Sequence, residues 1–480
     1  MLTAKLNGTD VGNLNHSEKF AKSLDQAIYE TMKDDLKCAL ESILPSTNHK
    51  RPLGMVMDKM TPSKSTGQIH AIILPVPENS LSQPLLVPLM LDVPTVTEYD
   101  ASGLAKMAKK ILNDAGAEDN QLEGLSWDGE YVKKGVKSKF IEILNIENWD
   151  SDQKNSWITS VWEPAHELEL AVTDLRKEDI FEWFNKDVGL INEAIGMLNI
   201  GKGLQMSIEA SERLGIQHFK LKTMSDTRFV AYWGGCLSSF EKDLQFSIEV
   251  LKIKAETDSK SETREKAKRG MRRLQTQEFM LLNLGMIDIY QKLGIASKAL
   301  QKVEQFPWEI LEIQQRLIKD FEERSNIQLI DEHGASTVQN IDKTIWPALR
   351  QNAEKVLSCK YKGLNTTIFS MLRRGRSSED INVGSLNLQT TVQNKLSSFC
   401  KILAKKFRSR IQENQYHESA KMFQLMSTCL DVSALIKCEN DQSLENKSKE
   451  SLVKLLRLAQ YDETSITQIL DEYRSFKSYL

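Results

Sequence analysis

The sequence predicts a compact α/β unit with a mixed sheet, in the order β-β-β-α-β-α-β-α, joined to a long all-helical region, so that the chain is predominantly helical overall. Three observations carry this. Short apolar runs bounded by Pro, Gly, Ser and Asn crowd between residues 53 and 93. Helical spacings then alternate with two further strand-like runs as far as residue 166. From about 185 onward, apolar residues recur at the i, i+3, i+4 spacing of an amphipathic helix.

The elements follow in order. Residues 1–20 form a polar lead-in. Over 21–45, Leu24, Ile28, Met32, Leu36, Leu40 and Ile43 sit at helical spacing. Pro45 is expected to stop that helix, because proline lacks the N–H and clashes with the preceding turn. LGMVMD (53–58), TGQIHAIILPV (66–76) and PLLVPLMLDV (84–93) read as three strands in meander order, the first ending in a carboxylate. DASGLAKMAKKILNDAG (100–116) reads as a helix capped by Asp100 or Ser102 and stopped by Gly116. QLEGLSWD (121–128) is a strand that again ends in an acid, and YVKKGVKSKFIEILN (131–145) returns to helix. SWITSVWEPAH (156–166) reads as a strand ending at Pro164 and His166, with helix beyond. Breaks in the helical region are expected at 255–265, 331–337, 373–385 and 438–450. FMLLNLGMIDIYQKLG (279–294) is apolar on nearly all sides and reads as a buried central helix or as a protein-interaction face. The expected domains are 1–50 (helical lead-in), 51–235 (α/β core), 236–440 (helical domain) and 441–480 (terminal helical segment).

Composition narrows the classes. Hydrophobic residues are 40% and charged residues 27% of 480, enough apolar material for a sizeable core and too much for global disorder. The formal net charge of -3 gives no whole-chain attraction for nucleic acid, so any basic surface must be local. Cys38, Cys236, Cys359, Cys400, Cys429 and Cys438 form no CxxC pair and no zinc-finger spacing, which points to a reducing compartment, nuclear or cytoplasmic. No apolar run reaches the length of a membrane span, and no P-loop, nucleophile elbow or dinucleotide fingerprint occurs. The eight tryptophans are expected in the core or at its rim, with stacking on bases as the alternative.

Two carboxylates stand out. Asp58 and Asp128 each close a predicted strand, the first and the fourth, and open α/β sheets hold ligands at the carboxyl ends of their strands. If those strands are neighbours, the acids converge and offer the oxygen donors that Mg²⁺ or Mn²⁺ prefers. Each also reads as a plain surface Asp ending a strand. Basic runs occur at 260–273, including Arg269, Arg272 and Arg273, and at 401–410, including Lys405, Lys406 and Arg408. Either would face DNA phosphates, serve as a nuclear address, or form the solvated face of a helix.

GMVMDKMTPSKSTGQIHAIILPV, GLSWDGEYVKKGV, WEPAHELELAV and DTRFVAY occur in that order. Together they resemble the core of hAT-superfamily transposases and the host proteins derived from them. The resemblance implies an RNase H-like core interrupted by a long helical insertion, here 236–440, and a metal-dependent strand-transfer site whose first two acids match Asp58 and Asp128. His166 matches the histidine of the family's CxxH motif, with Glu163 where the cysteine belongs. Thr227 and Arg228 match its TRW motif, with Phe229 in place of the tryptophan. The third acid belongs beside an SxxERxFS-like motif, and none is present; no BED-type zinc finger precedes the core either. The resemblance therefore implies a truncated or domesticated copy. Three readings stay open: a nuclear, transposase-derived protein that binds nucleic acid or protein without completing catalysis; a fragment of an active Mg²⁺-dependent DNA transposase; and a helical protein-interaction scaffold. A homo-oligomer is left open in each, and no membrane partner is expected.

Overall fold

The fold is described from a computed structural model. It describes residues 18–44, 49–60, 67–75, 86–92, 94–118, 121–127, 135–144, 159–162, 164–199, 202–215, 223–224, 230–302, 305–364, 378–412, 417–432, 435–436, 441–458 and 462–477. The chain is predominantly helical and divides into two compact units, one formed by residues 1–163 and 438–480 and the other by residues 164–437.

The α/β unit begins with helix α1 (Glu18–Glu41), which stops four residues before Pro45. The chain continues through a two-residue antiparallel ladder, Ile43–Leu44 with His49–Lys50. Five strands then build one sheet: β1 (Leu53–Met60), β2 (Gly67–Pro75), β3 (Leu86–Asp92), β4 (Leu122–Trp127) and β5 (Thr159–Trp162), in the order β3-β2-β1-β4-β5. The order follows from the connections. Short links keep β1, β2 and β3 as an antiparallel meander. The next two links carry helices α2 (Ala101–Ala115) and α3 (Val136–Ile143), and such crossovers return strands parallel, so β4 lies beside β1 and β5 beside β4. The expected order β-β-β-α-β-α-β is the observed one from Leu53 to Trp162, whereas the short ladder before it was not expected and the closing helix belongs to the other unit.

Alternation along the strands explains the core. Leu53, Met55 and Met57 of β1 are buried, as are Leu125 and Trp127 of β4, and they pack with Leu104, Ala108 and Leu112 of α2. The Trp127 ring meets Phe140 of α3 edge-on, 5.3 Å between centroids. Asp100 is the N-cap of α2, its Oδ1 accepting from Gly103 N at 2.7 Å, and Gly116 closes the helix at φ 83°, where a side chain would be strained. Buried Gln121 ties the unit's entry together: its Nε2 donates to the carbonyls of Leu40 and Arg51, at 3.0 and 3.1 Å. The terminal helices α15 (Gln442–Leu458) and α16 (Glu463–Lys477), joined by a buried Ser448–Tyr473 hydroxyl contact, belong to this unit.

The helical unit starts at 164, not near 236 as the sequence suggests. The reason lies in α4 (Pro164–Arg176) and α5 (Glu182–Asn199): Ala165, Leu168, Val172, Phe184 and Ile191 face the helical core. After α6 (Lys202–Leu214) come α7 (Val230–Lys242), α8 (Leu244–Thr257), α9 (Ser261–Leu274) and α10 (Gln277–Leu300). Then follow α11 (Pro307–Arg324), α12 (Pro347–Leu357), α13 (Ser378–Gln412) and α14 (His417–Leu430). Residues 281–290 of α10 are all buried, so this stretch is the unit's axis; the alternative of an exposed interaction face is excluded for it. Thr276 caps α10 by accepting from Phe279 N at 3.1 Å. α7 approaches α10 very closely: a Cβ on Gly234 would lie 3.0 Å from the Tyr290 carbonyl carbon. α13 contributes Leu388, Val392, Leu396, Phe399, Leu403 and Phe407, all fully buried at three- and four-residue spacing. The Phe399 ring meets Phe181 and Phe184 edge-on. The expected break at 373–385 lies partly outside the described residues; from Ser378 on the chain is helical.

Candidate functional site

Asp58 lies inside β1, not at its end: the strand runs two residues further, and Asp58 pairs with Ile69 of β2. β1 and β4 are parallel neighbours at the centre of the sheet, with Met57 opposite Trp127. The next residue along the chain is Asp58 in one case and Asp128 in the other. Asp128, like Glu163, Thr227, Arg228 and Phe229, falls outside the described residues.

His166 does not end a strand. Pro164 opens α4, where its missing N–H costs nothing and its fixed φ suits a helix, and His166 sits half-buried in the first turn. Its neighbour Glu167 is buried and accepts from Gln314 Nε2 at 3.2 Å. Among the described residues no group of three or more His, Cys, Asp or Glu forms a metal-binding cluster, and no helix is long and apolar enough to cross a membrane.

No protein-family model matches this chain, and no curated protein matches it. The site is therefore read from its own residues.

The six basic candidates separate into two kinds. Arg269 and Arg272 on α9 and Lys405 on α13 are exposed, and none makes an ion pair with a described residue. Arg273 is spent on the interior. Its Nε and Nη2 donate to the two oxygens of Asp187, each at 2.9 Å, and its Nη1 donates to Glu278 Oε2 at 2.6 Å. Lys395 of α13 donates to the other oxygen of Glu278 at 2.6 Å. Lys406 pairs with Glu178 at 2.5 Å, and Arg408 pairs with Glu322. A side chain locked to a carboxylate offers little to a phosphate, so Arg273, Lys406 and Arg408 are poorer candidates than their place in basic runs suggests.

Sequence reasoning missed the charged network because its members are 86 positions apart and nothing local marks Asp187 as the partner of Arg273. Burial pushes Asp187 up, whereas Glu278, also opposed by burial, is held below its usual range by Arg273 and Lys395. It also missed Asp288, a buried acid on α10 that caps α12 from outside. Its two oxygens accept from Ala348 N at 2.8 Å and Leu349 N at 3.0 Å. Burial nevertheless pushes its carboxyl up to about 6. The tryptophans were legible: Trp127, Trp233 and Trp346 are buried. Trp149 and Trp157 fall outside the described residues.

Proposed function

We propose that this chain is a transposase-derived protein of the hAT kind, with an RNase H-like unit and a helical insertion, that binds nucleic acid without completing strand cleavage. The observation that carries this reading is the sheet order β3-β2-β1-β4-β5, an antiparallel meander followed by two parallel strands, with β1 central. That is the arrangement an RNase H-like core requires, and the Met57–Trp127 register supports Asp58 and Asp128 as its two acids. A second feature agrees: the α/β unit is built from two segments, and the helical unit occupies the stretch between them.

The donor chemistry fits Mg²⁺ or Mn²⁺, hard cations that take carboxylate oxygens. Such an ion would supply charge to stabilise a leaving oxygen and activate water. Two acids are fewer than such a site needs to fix its ions, so the proposed role stops at binding. Arg269, Arg272 and Lys405 are the cations offered to phosphates, and a nuclear location accords with that partner.

The test pairs two assays on the purified chain and a random-sequence duplex. Binding is expected to be saturable and to weaken steeply with salt, with no cleavage in Mg²⁺ or Mn²⁺. Cleavage that disappears in Asp58→Asn would replace this reading with an active transposase. No binding at low salt would leave the helical unit as a protein-interaction scaffold.

A further inference from the structure

Helix α1 leaves most of its length uncovered. Residues 21–35 are exposed without a break, about 22 Å of helix at 1.5 Å per residue. The helix enters the core of the α/β unit with Leu36 and Leu40, both buried. A helix as short as the exposed stretch is marginal by itself in water. Its surface is not polar all round, either. Leu24, Ile28 and Met32 follow at four-residue spacing, 44%, 49% and 65% exposed, with Tyr29 beside them at 48%. They form one ridge with Leu36 and Leu40, because residues four apart stack along one face of a helix. One half of this ridge is packed into the unit and the other half is open. Single exposed apolar side chains are ordinary, but a contiguous row of them marks an interaction surface.

The open row fits a second copy of itself. Ile28 is its midpoint, and reversing the helix about that residue lays Leu24 on Met32 and Ile28 on Ile28. That is the self-complementary match a two-fold interface needs. The neighbours of the row fix the direction. Asp25 and Asp35 flank it, and both are exposed. In a parallel pair each would stand against its own copy, like charge on like charge. In the antiparallel pair Asp25 meets Thr31, Asp35 meets Ala21 and Tyr29 meets Ala27, and across residues 21–35 no like charges oppose. The helix dipoles then run in opposite directions as well. The exposed stretch of each copy covers that of the other. Neither reaches Leu36, where the packed part of the helix begins.

We propose that α1 pairs antiparallel with α1 of a second copy of this chain, with Leu24, Ile28 and Met32 forming the shared apolar seam. The seam spans little more than two turns, so the interface is small and the dimer reversible. The surface lies wholly within the α/β unit and is independent of the nucleic-acid reading.

The test is sedimentation velocity of the full chain from about 1 to about 300 µM, a range that brackets weak pairs with small interfaces. A monomer–dimer equilibrium is expected, with no larger species. Leu24→Glu and Met32→Lys should each raise the dissociation constant about ten-fold or more, because two-fold symmetry brings the charge into the seam twice. Both positions are exposed in the single chain, and Glu and Lys are good helix formers, so α1 itself is kept. Mixing the two variants should restore pairing, since the acid introduced in one chain meets the base introduced in the other only when the helices run antiparallel. A parent chain that stays monomeric throughout, or variants that pair as well as the parent, would overturn the proposal. So would a mixture that stays dissociated. Assembly that continues past two copies would also overturn it, since a two-fold seam closes on itself.

Discussion

Replacing Arg273 with methionine should unfold the helical unit more readily, by an amount the geometry bounds. The change keeps most of the aliphatic stem and removes three charge-assisted hydrogen bonds, two to Asp187 at 2.9 Å and one to Glu278 at 2.6 Å. The side chains of Asp187 and Glu278 are only 10% and 12% exposed, so water restores little of what is lost. Leaving a buried charge unpaired costs roughly 3–5 kcal/mol. Glu278 keeps Lys395 at 2.6 Å, so the uncompensated charge is chiefly that of Asp187. The lower end, about 3 kcal/mol, is therefore expected. Changing Asp187 to leucine as well should recover much of the loss, because a buried ion pair replaced as a whole by apolar groups is often neutral. Urea unfolding followed by circular dichroism measures both variants against the parent chain. A loss below about 1 kcal/mol in the single variant, or a double variant less stable than the single one, would refute the view that this network is buried and internally balanced.

The remaining expectations are as direct. Asp288 binds its proton more tightly in the folded chain, at about 6 against an ordinary carboxyl near 3.8. Its contribution to stability therefore grows as pH falls from about 6 toward 4 and levels off below, by at most about 3 kcal/mol. Asp288→Asn should flatten that part of the stability profile, and an unchanged profile would show that other groups set it. Gly234→Val should cost roughly 1–3 kcal/mol by thermal or urea unfolding, because its Cβ would press on the backbone of Tyr290; a neutral result would mean that α7 and α10 are not packed this closely. Changing Arg269 and Arg272 together to serine should lower duplex affinity and reduce the log–log salt slope by about 1.8, two phosphate contacts' worth. An identical slope would make α9 a solvated face only.

Much of the α/β unit was legible because its signals are local. Pro, Gly and polar residues bound each strand, Asp100 and Gly116 mark both ends of α2, and the spacing of two crossover helices dictates parallel return. The acids were legible only as strand-end residues, and there the reading was too coarse: β1 continues past Asp58 to Met60. The unit boundary was misread because α4 and α5 look like the helices of an α/β layer, and only packing reveals that Leu168, Phe184 and Ile191 face the helical core. Charge runs were the weakest guide. Arg272 and Arg273 are adjacent in sequence, yet one is exposed and the other is clamped between two carboxylates, because a rotation of 100° separates them on the helix.

The proposed function turns on Asp58 of β1 and Asp128, the residue that follows β4 in sequence, acting as one pair. Mn²⁺ binding to the full chain, followed by electron paramagnetic resonance of the free ion, tests it most directly. One weak site is expected, which Asp58→Asn and Asp128→Asn each abolish, with the double variant no worse than either single one, since both carboxylates serve the same ion. A site whose affinity survives both substitutions, or losses from the two that simply add, would contradict it.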